Sequence, residues 1–259
     1  MSQPRVSFVI GGVQKGGTTA LARFVAAHPD IALPRTKEAH MFDDASFDPS
    51  WSVGDVDARY ETHFENRQAR LYGDATPIYI LHPLLIRRIA AYNPGMKWIL
   101  ILRHPVERAL SQYHMERSRG HERLPFWLAL LLEGRRLRGR LDDCSRSSPM
   151  SRHSYRLRGD YARQLDALYA AFPPGQVLVL RNEELARKPR EVMRRVWDFL
   201  CVEPHETAVE HARVFEGDYR RLRRGGLRWR VYRWMFRREL AAQAVRYGLH
   251  WSAEDHASG

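Results

Sequence analysis

The stretch FVIGGVQKGGTTAL, from Phe8 to Leu21, constrains the fold of this chain more than any other. A short, β-branched apolar run from Val6 to Ile10 ends in glycines and reads as a buried strand. Thr18 to Ala27 then reads as a helix, closed before His28-Pro29 because proline disfavours helix in the residue before it. Strand, glycine turn and helix form the opening unit of a doubly wound sheet, and they nearly spell the nucleotide-binding loop G-x-x-x-x-G-K-[ST]. Counting from Gly12, the second glycine is Gly17, but Thr18 stands where the lysine belongs, and the lysine comes three residues earlier as Lys15. The backbone amides of Lys15, Gly16, Gly17, Thr18 and Thr19 still suit a phosphate, because exposed N–H groups and the helix dipole favour an anion there. A lysine displaced to the near side meets a leaving-group oxygen rather than a distal γ-phosphate.

The rest of the chain extends this opening. Trp98 to Leu102 (WILIL) is a second buried strand, followed by a turn at Arg103-His104-Pro105 and a helix through about Arg117. Val177 to Leu180 (VLVL) is a third, followed by a helix from about Pro189 to Leu200. Strands alternating with helices predict a mainly parallel central sheet flanked by helices in three layers, with ligands at the strands' carboxyl ends. At 259 residues and 44% hydrophobic content the chain suits one domain with a core over about 6–202. Residues 117–158 carry the helix-like PFWLALLLEG and then an arginine- and serine-rich stretch through Ser148 that reads as an exposed loop or acceptor-side lid. Residues 219–238 interleave arginines with aromatics.

Composition narrows the chemistry. The two cysteines, Cys144 and Cys201, are too few and too far apart for a disulfide framework or a zinc site. No apolar run is long enough to cross a membrane, and the first residues lack a signal-peptide pattern, so a cytoplasmic location is the expectation. A net charge of +12 points to anionic partners: phosphate, nucleic acid, acidic glycan or an anionic membrane surface. A phosphate-loop kinase would want an aspartate at the end of a neighbouring strand to organise magnesium. WILIL ends in Arg103-His104 and VLVL in Arg181-Asn182, so neither supplies that carboxylate directly, although Glu183 is near. In PRTKEAHMFD, Glu38 is a candidate general base because a positioned carboxylate beside Lys37 and His40 can take a proton from a hydroxyl; the plain alternative is a solvated loop acid. His40 is read as orienting Glu38 or the acceptor, as the base itself, or as a structural histidine. Asp74 reads as a turn or capping residue.

At these residues the sequence resembles a known family. QKGGTTAL is similar to the 5′-phosphosulfate loop of sulfotransferases that use 3′-phosphoadenosine 5′-phosphosulfate (PAPS), especially the heparan-sulfate-type branch and its bacterial relatives. LRHPVERALSQYH resembles the family's 3′-phosphate segment, which implies that Arg103 and Ser111 hold that phosphate, although His104 stands where Asp or Asn is commoner. GDATPIY, from Gly73 to Tyr79, resembles the family's G-E-x-T/S-P-x-Y strand and loop. GDYARQLDALYAAFPPGQVLVLRNEEL with the helix ending in WDFLCV resembles the later core, Cys201 replacing a usual glycine. The resemblance implies a P-loop-like α/β fold, Glu38 as general base, and Lys15, assisted by Lys37, stabilising charge on the bridging oxygen. It implies Thr18 and Thr19 at the 5′-phosphate, and PAPS as donor with PAP as product and no required metal. The reaction implied is direct in-line transfer to a hydroxyl, less readily an amine, of a carbohydrate, glycolipid or natural product.

The family has a late glycine-containing basic loop over the donor's 3′-phosphate, for which RRLRRGGLR, from Arg220 to Arg228, is the local candidate, and the resemblance thereby implies Arg223, Arg224 and Gly225 as donor contacts. The same segment also reads as a solvated basic helix face, or as a membrane-surface helix in which Trp229, Trp234 and Phe236 insert beside anionic headgroups. The partners expected are therefore a small-molecule or glycan acceptor and not nucleic acid, with peripheral contact to an anionic membrane as a further reading. The readings kept beside sulfuryl transfer are a kinase-like phosphate-loop enzyme and a non-enzymatic binder of polyanions or membrane.

Overall fold

A computed structural model describes residues 5–66, 68–143, 145, 147–205, 222 and 225–251. In chain order the elements are β1 (Val6–Gly12), α1 (Thr18–Ala26), β2 (Ile31–Ala32), α2 (Val53–Glu61), β3 (Leu71–Asp74), α3 (Pro83–Tyr92), β4 (Lys97–Leu102) and α4 (Pro105–Ser118). Then follow α5 (Phe126–Leu137), α6 (Pro149–His153), α7 (Tyr161–Tyr169), β5 (Val177–Arg181), α8 (Asn182–Arg187), α9 (Pro189–Leu200), α10 (Leu227–Met235) and α11 (Arg237–Tyr247). The chain divides into two compact units, one of Met1–Leu102 with Ala167–Phe215 and one of Arg103–Asp166 with Glu216–Gly259.

The first unit is α/β. Its five strands run parallel in the order β2-β3-β1-β4-β5. The central strands β1 and β4 are apolar almost throughout and buried on both faces, which is why they read as continuous hydrophobic runs. On the same core lie α1, through Leu21, Phe24 and Val25, and α9, through Val192, Met193, Val196, Trp197 and Leu200. The helical spacing of those α9 residues makes one apolar stripe. Beyond α9, Cys201 adopts a left-handed conformation (φ 59°) as the cap, the geometry that glycine takes there without a Cβ penalty.

The second unit is helical. Val106, Ala109 and Tyr113 of α4 pack with Phe126, Ala129 and Leu130 of α5, with Tyr155, and with Trp229, Met235 and Phe236. Its interior also holds charge: Arg108 is fully buried and donates to Gln112 Oε1 (2.9 Å) and to the Tyr155 carbonyl. Of residues 117–158, α5, α6 and Tyr155 belong to this packed unit; residues 138–142 are exposed as the composition predicts, but Ser148, at the end of the same stretch, is buried because its hydroxyl caps α6 by accepting from Ser151 N–H.

Three His-Pro pairs share one device. The Nδ1 of His28, His82 and His104 accepts from the backbone N–H two residues on, at 3.1, 3.1 and 3.2 Å. At His82 and His104 that bond caps the N-terminus of α3 and α4, whose first residue is the proline. His104 thus accepts the amide bond that an Asp or Asn side chain makes at this position.

Candidate functional site

In the first unit the chain leaves β1, turns through Val13 to Gly17 and enters α1. Val13 N–H donates to the Ile101 carbonyl (3.1 Å) and Gly16 N–H to the Val13 carbonyl (2.8 Å), so the turn is tied to the end of β4. Of the five amides predicted to meet a phosphate, that of Gly16 is therefore already engaged. Lys15 has a left-handed backbone (φ 66°), as does Gly17 (φ 111°). A Cβ on Gly17 would stand 2.3 Å from Asn182 Nδ2, and one on Gly16 would stand 2.3 Å from the Ile101 carbonyl oxygen. Both glycines are dictated by close approach, Gly17 by its φ as well. Gly17 caps α1 without a side chain and no acid lies in the first turn. The first amides of a helix have no intrahelical acceptor, so this end of α1 is suited to an anion.

Beside it lies the loop that carries Lys37, Glu38 and His40. The Lys37 ammonium donates to Thr18 Oγ1 (3.5 Å) and to Glu38 Oε1 (3.0 Å). His40 Nε2 is 3.1 Å from Glu38 Oε2, and its Nδ1 is 2.7 Å from Asp43 Oδ2. A neutral imidazole can donate from only one nitrogen, so two facing carboxylates favour the doubly protonated ring. Burial acts to raise the Glu38 carboxyl, but hydrogen bonds from His40 and Lys37 and their positive charges outweigh it, and the group is held at about 2. The Glu38 side chain is 35% exposed, Asp43 only 2%.

Asp74 at the end of β3 fixes this loop. Its Oδ1 accepts from Thr76 Oγ1 (2.6 Å) and Ala39 N–H (3.4 Å), and its Oδ2 from the hydroxyls of Tyr60 (2.9 Å) and Tyr79 (2.6 Å). His40 N–H donates to Thr76 Oγ1 at 3.3 Å. The Phe42 ring packs edge-on against Tyr60 and Tyr79, and its carbonyl accepts from Arg88 (2.6 Å). The WILIL and VLVL strands end without an aspartate, but β3, which also pairs with β1, does end in one. That carboxylate has two donors on each oxygen, and burial raises its pKa despite them. It is occupied as a structural tie and has no lone pair turned toward a magnesium site.

Asp43, Thr76 and Asn182 have no counterpart among the residues singled out from sequence. Asp43 and Thr76 lie outside any regular element, so no periodicity marks them, and Asn182 reaches Gly17 only through the sheet.

In the second unit Arg103 follows the last residue of β4 directly. Its Nε donates to Glu107 Oε2 (3.4 Å), and its carbonyl accepts from Tyr161 (2.7 Å). Ser111 is buried on α4. Gly225 is exposed with φ 83°. Arg223 and Arg224 lie outside the described residues. The segment from 227 onward differs from the membrane reading in two of its three aromatics: Trp229 is 7% and Phe236 0% exposed, both in the core, because they face α4 and α5, and only Trp234 points outward at 63%. No described helix is long and apolar enough to cross a membrane.

A sulfotransferase-domain family model matches residues 6–214. The heparan sulfate glucosamine 3-O-sulfotransferase 3A1 of Mus musculus is 31% identical over 192 residues, 74% of this chain and 44% of that protein. The membrane-associated sulfotransferase kil1 of Dictyostelium discoideum is 38% identical over 112 residues, 42% of this chain and 22% of that protein. The chain spans about half the length, or less, of these curated relatives. Among solved structures, the crystal structure of a sulfotransferase from Alicyclobacillus acidocaldarius superposes with a TM-score of 0.73 at 27% identity, covering 98% of this chain and 99% of that one. With a family match over most of its length and a parallel sheet to support it, the chain belongs to the sulfotransferase family.

Proposed function

We propose that this chain transfers a sulfuryl group from PAPS to a hydroxyl of a carbohydrate, glycolipid or natural-product acceptor, working as a single sulfotransferase domain. The observation that carries this reading is the row Thr18, Lys37, Glu38 and His40, in which a phosphate-suited helix start adjoins a carboxylate held ionised. The family match, which runs through both units, supports one working domain. The 3-O-sulfotransferase relatives favour a hydroxyl over an amine. The full hydrogen-bond complement of Asp74 speaks against the kinase-like alternative.

In this reading Thr18, Thr19 and the open amides of the α1 N-terminus hold the 5′-phosphate, while Arg103 and Ser111 hold the 3′-phosphate. Arg103 would exchange Glu107 for that anion. The donor supplies an electrophilic sulfur on a good leaving group. Glu38 accepts the acceptor's proton as the new oxygen–sulfur bond forms and the old one to the 5′-phosphate breaks, and Lys15 and Lys37 stabilise charge on the departing oxygen. A carboxylate held at about 2 is always ionised near neutral pH but weakly basic. Lys37, shared between Glu38 and Thr18, would raise that basicity by turning from Glu38 toward the donor. No residue of this scheme calls for a metal. Arg223, Arg224 and Gly225 remain proposed donor contacts.

The test is calorimetric titration of the protein with PAP and, in parallel, with ATP, each with and without magnesium. Micromolar binding of PAP that is independent of magnesium and stronger than that of ATP is expected. A preference for magnesium-ATP overturns the reading.

A further inference from the structure

The outer face of α10 carries large apolar side chains in water among arginines. Leu227, Val231 and Trp234, at spacings of four and three residues, share one side of the helix and are 77%, 46% and 63% exposed. Arg228 flanks this stripe on one side and Arg230 and Arg233 on the other, all exposed, and Arg237 and Arg238 continue the charge into α11. Glu239 is the one acid between residues 227 and 240, and it is paired with Arg156 at 2.6 Å. Arg230, Arg233, Trp234, Arg237 and Leu240 line an open depression of about 390 Å³. The Arg237 guanidinium lies 4.1 Å from the centre of the Trp234 ring, keeping a cation beside the indole. Neighbouring α5, whose Phe126 ring meets Tyr232 at 4.9 Å, exposes its own pair, Trp127 at 50% and Leu131 at 63%.

We propose that α10 is a membrane-docking helix whose Leu227–Val231–Trp234 stripe enters the headgroup region of an anionic lipid surface while Arg228, Arg230, Arg233 and Arg237 meet the lipid phosphates. Two chemistries on one helix choose the partner. A polyanionic glycan or nucleic acid would engage the arginines but leave three large apolar side chains in water, whereas a bilayer interface takes both at once. The stripe is also the part of this basic segment that the core does not use, since Trp229, Met235 and Phe236 face inward. This docking does not depend on the transfer chemistry, and none of the stripe residues belongs to the proposed donor or acceptor machinery.

The test is co-sedimentation of the whole protein with vesicles of phosphatidylcholine alone and of phosphatidylcholine mixed with phosphatidylglycerol, at low and moderate salt. Binding to the anionic vesicles only is expected. Replacing Arg230 and Arg233 together by serine should weaken it about 30-fold, at roughly 1 kcal/mol for each arginine. Trp234→Ser should weaken it about tenfold through lost apolar burial, and Leu227→Ser should act in the same direction. All three variants change exposed side chains, and PAP affinity serves as the check that each remains folded. Failure of the parent to bind anionic vesicles overturns the proposal. So does binding that depends on the arginines and salt but is indifferent to both Trp234→Ser and Leu227→Ser, with equal affinity for heparin fragments, because that is the behaviour of a polyanion site.

Discussion

Glu38 and Glu133 are displaced from the ordinary glutamate pKa in opposite directions. Glu38 stands in an irregular loop, 35% exposed, between an ammonium and an imidazole, and is held at about 2. Glu133 is buried on α5. Burial pushes its carboxyl up to about 7, although backbone amides of Arg156 (2.7 Å) and Leu157 (2.8 Å) and the charges of Arg108 and Arg156 pull the other way. Glu133 ties the 156–157 turn to α5 and both its oxygens are spent inside the fold, whereas Glu38 has charged partners that can be exchanged for an incoming molecule. A perturbed carboxyl is therefore a pointer to chemistry only when the residue is also open to a ligand.

Glu38→Gln should lower turnover by about 10²- to 10⁴-fold while losing in urea unfolding only the modest contribution of a partly exposed ion pair, and a variant of near-normal turnover would make the constellation a mere surface network. Lys15→Ala should cost on the order of 10²- to 10³-fold in turnover, measured under saturating donor; an effect confined to donor affinity would remove its leaving-group role. Glu133→Ala should do the reverse, costing about 1–3 kcal/mol in urea unfolding by leaving two part-buried amides without their acceptor and leaving turnover per folded molecule unchanged.

The pH dependence of stability sharpens the contrast. Glu133 has a raised folded pKa, so its contribution is complete below the ordinary value of 4.5 and is lost as pH rises through about 7. Glu38 has a lowered one, so its contribution is present above 4.5 and is lost as pH falls toward about 2. Unfolding midpoints measured across both windows should show these slopes, and Glu133→Ala should flatten only the upper one. The smallest effect is expected at the end of α9, where Cys201→Gly should stabilise the fold by about 0.5–1 kcal/mol by relieving a left-handed side-chain-bearing residue. Loss of stability there would mean that the contact of Cys201 Sγ with Lys97 Nζ, at 3.4 Å, outweighs the backbone cost.

The elements with strong periodicity were legible. β1, β4 and β5, and helices α1, α4 and α9, lie where apolar runs and prolines predict them: β1 and β4 because strands buried on both faces are apolar throughout, β5 as an apolar strand at the sheet edge, and α9 because its core-facing residues form one stripe. β2 and β3 were not legible as strands by their own composition, and only the resemblance at GDATPIY implied a strand where β3 ends. Ile31–Ala32 is two residues long, and LYGD carries a glycine that is there because Phe8 occupies its Cβ position, with the nearest ring atom 2.1 Å away. The same holds for the site. Glu38, Lys37 and His40 stand out by adjacency, but Asp43 meets His40 only through an irregular turn, and Asp74 meets Ala39 from another strand.

The order of residues alone determined the parallel α/β core, the anion-suited start of α1 and the basic character of the chain, since each follows from local pattern or summed charge. Tertiary packing decided which charges are spent and which stay available. It closed Asp74 with four donors, buried Glu133, turned Trp229 and Phe236 inward and left Leu227, Val231 and Trp234 outside. Neither a carboxylate's ligand set nor a helix's outward face is encoded at its own position, because both depend on groups brought from distant parts of the chain at a cost or gain of desolvation.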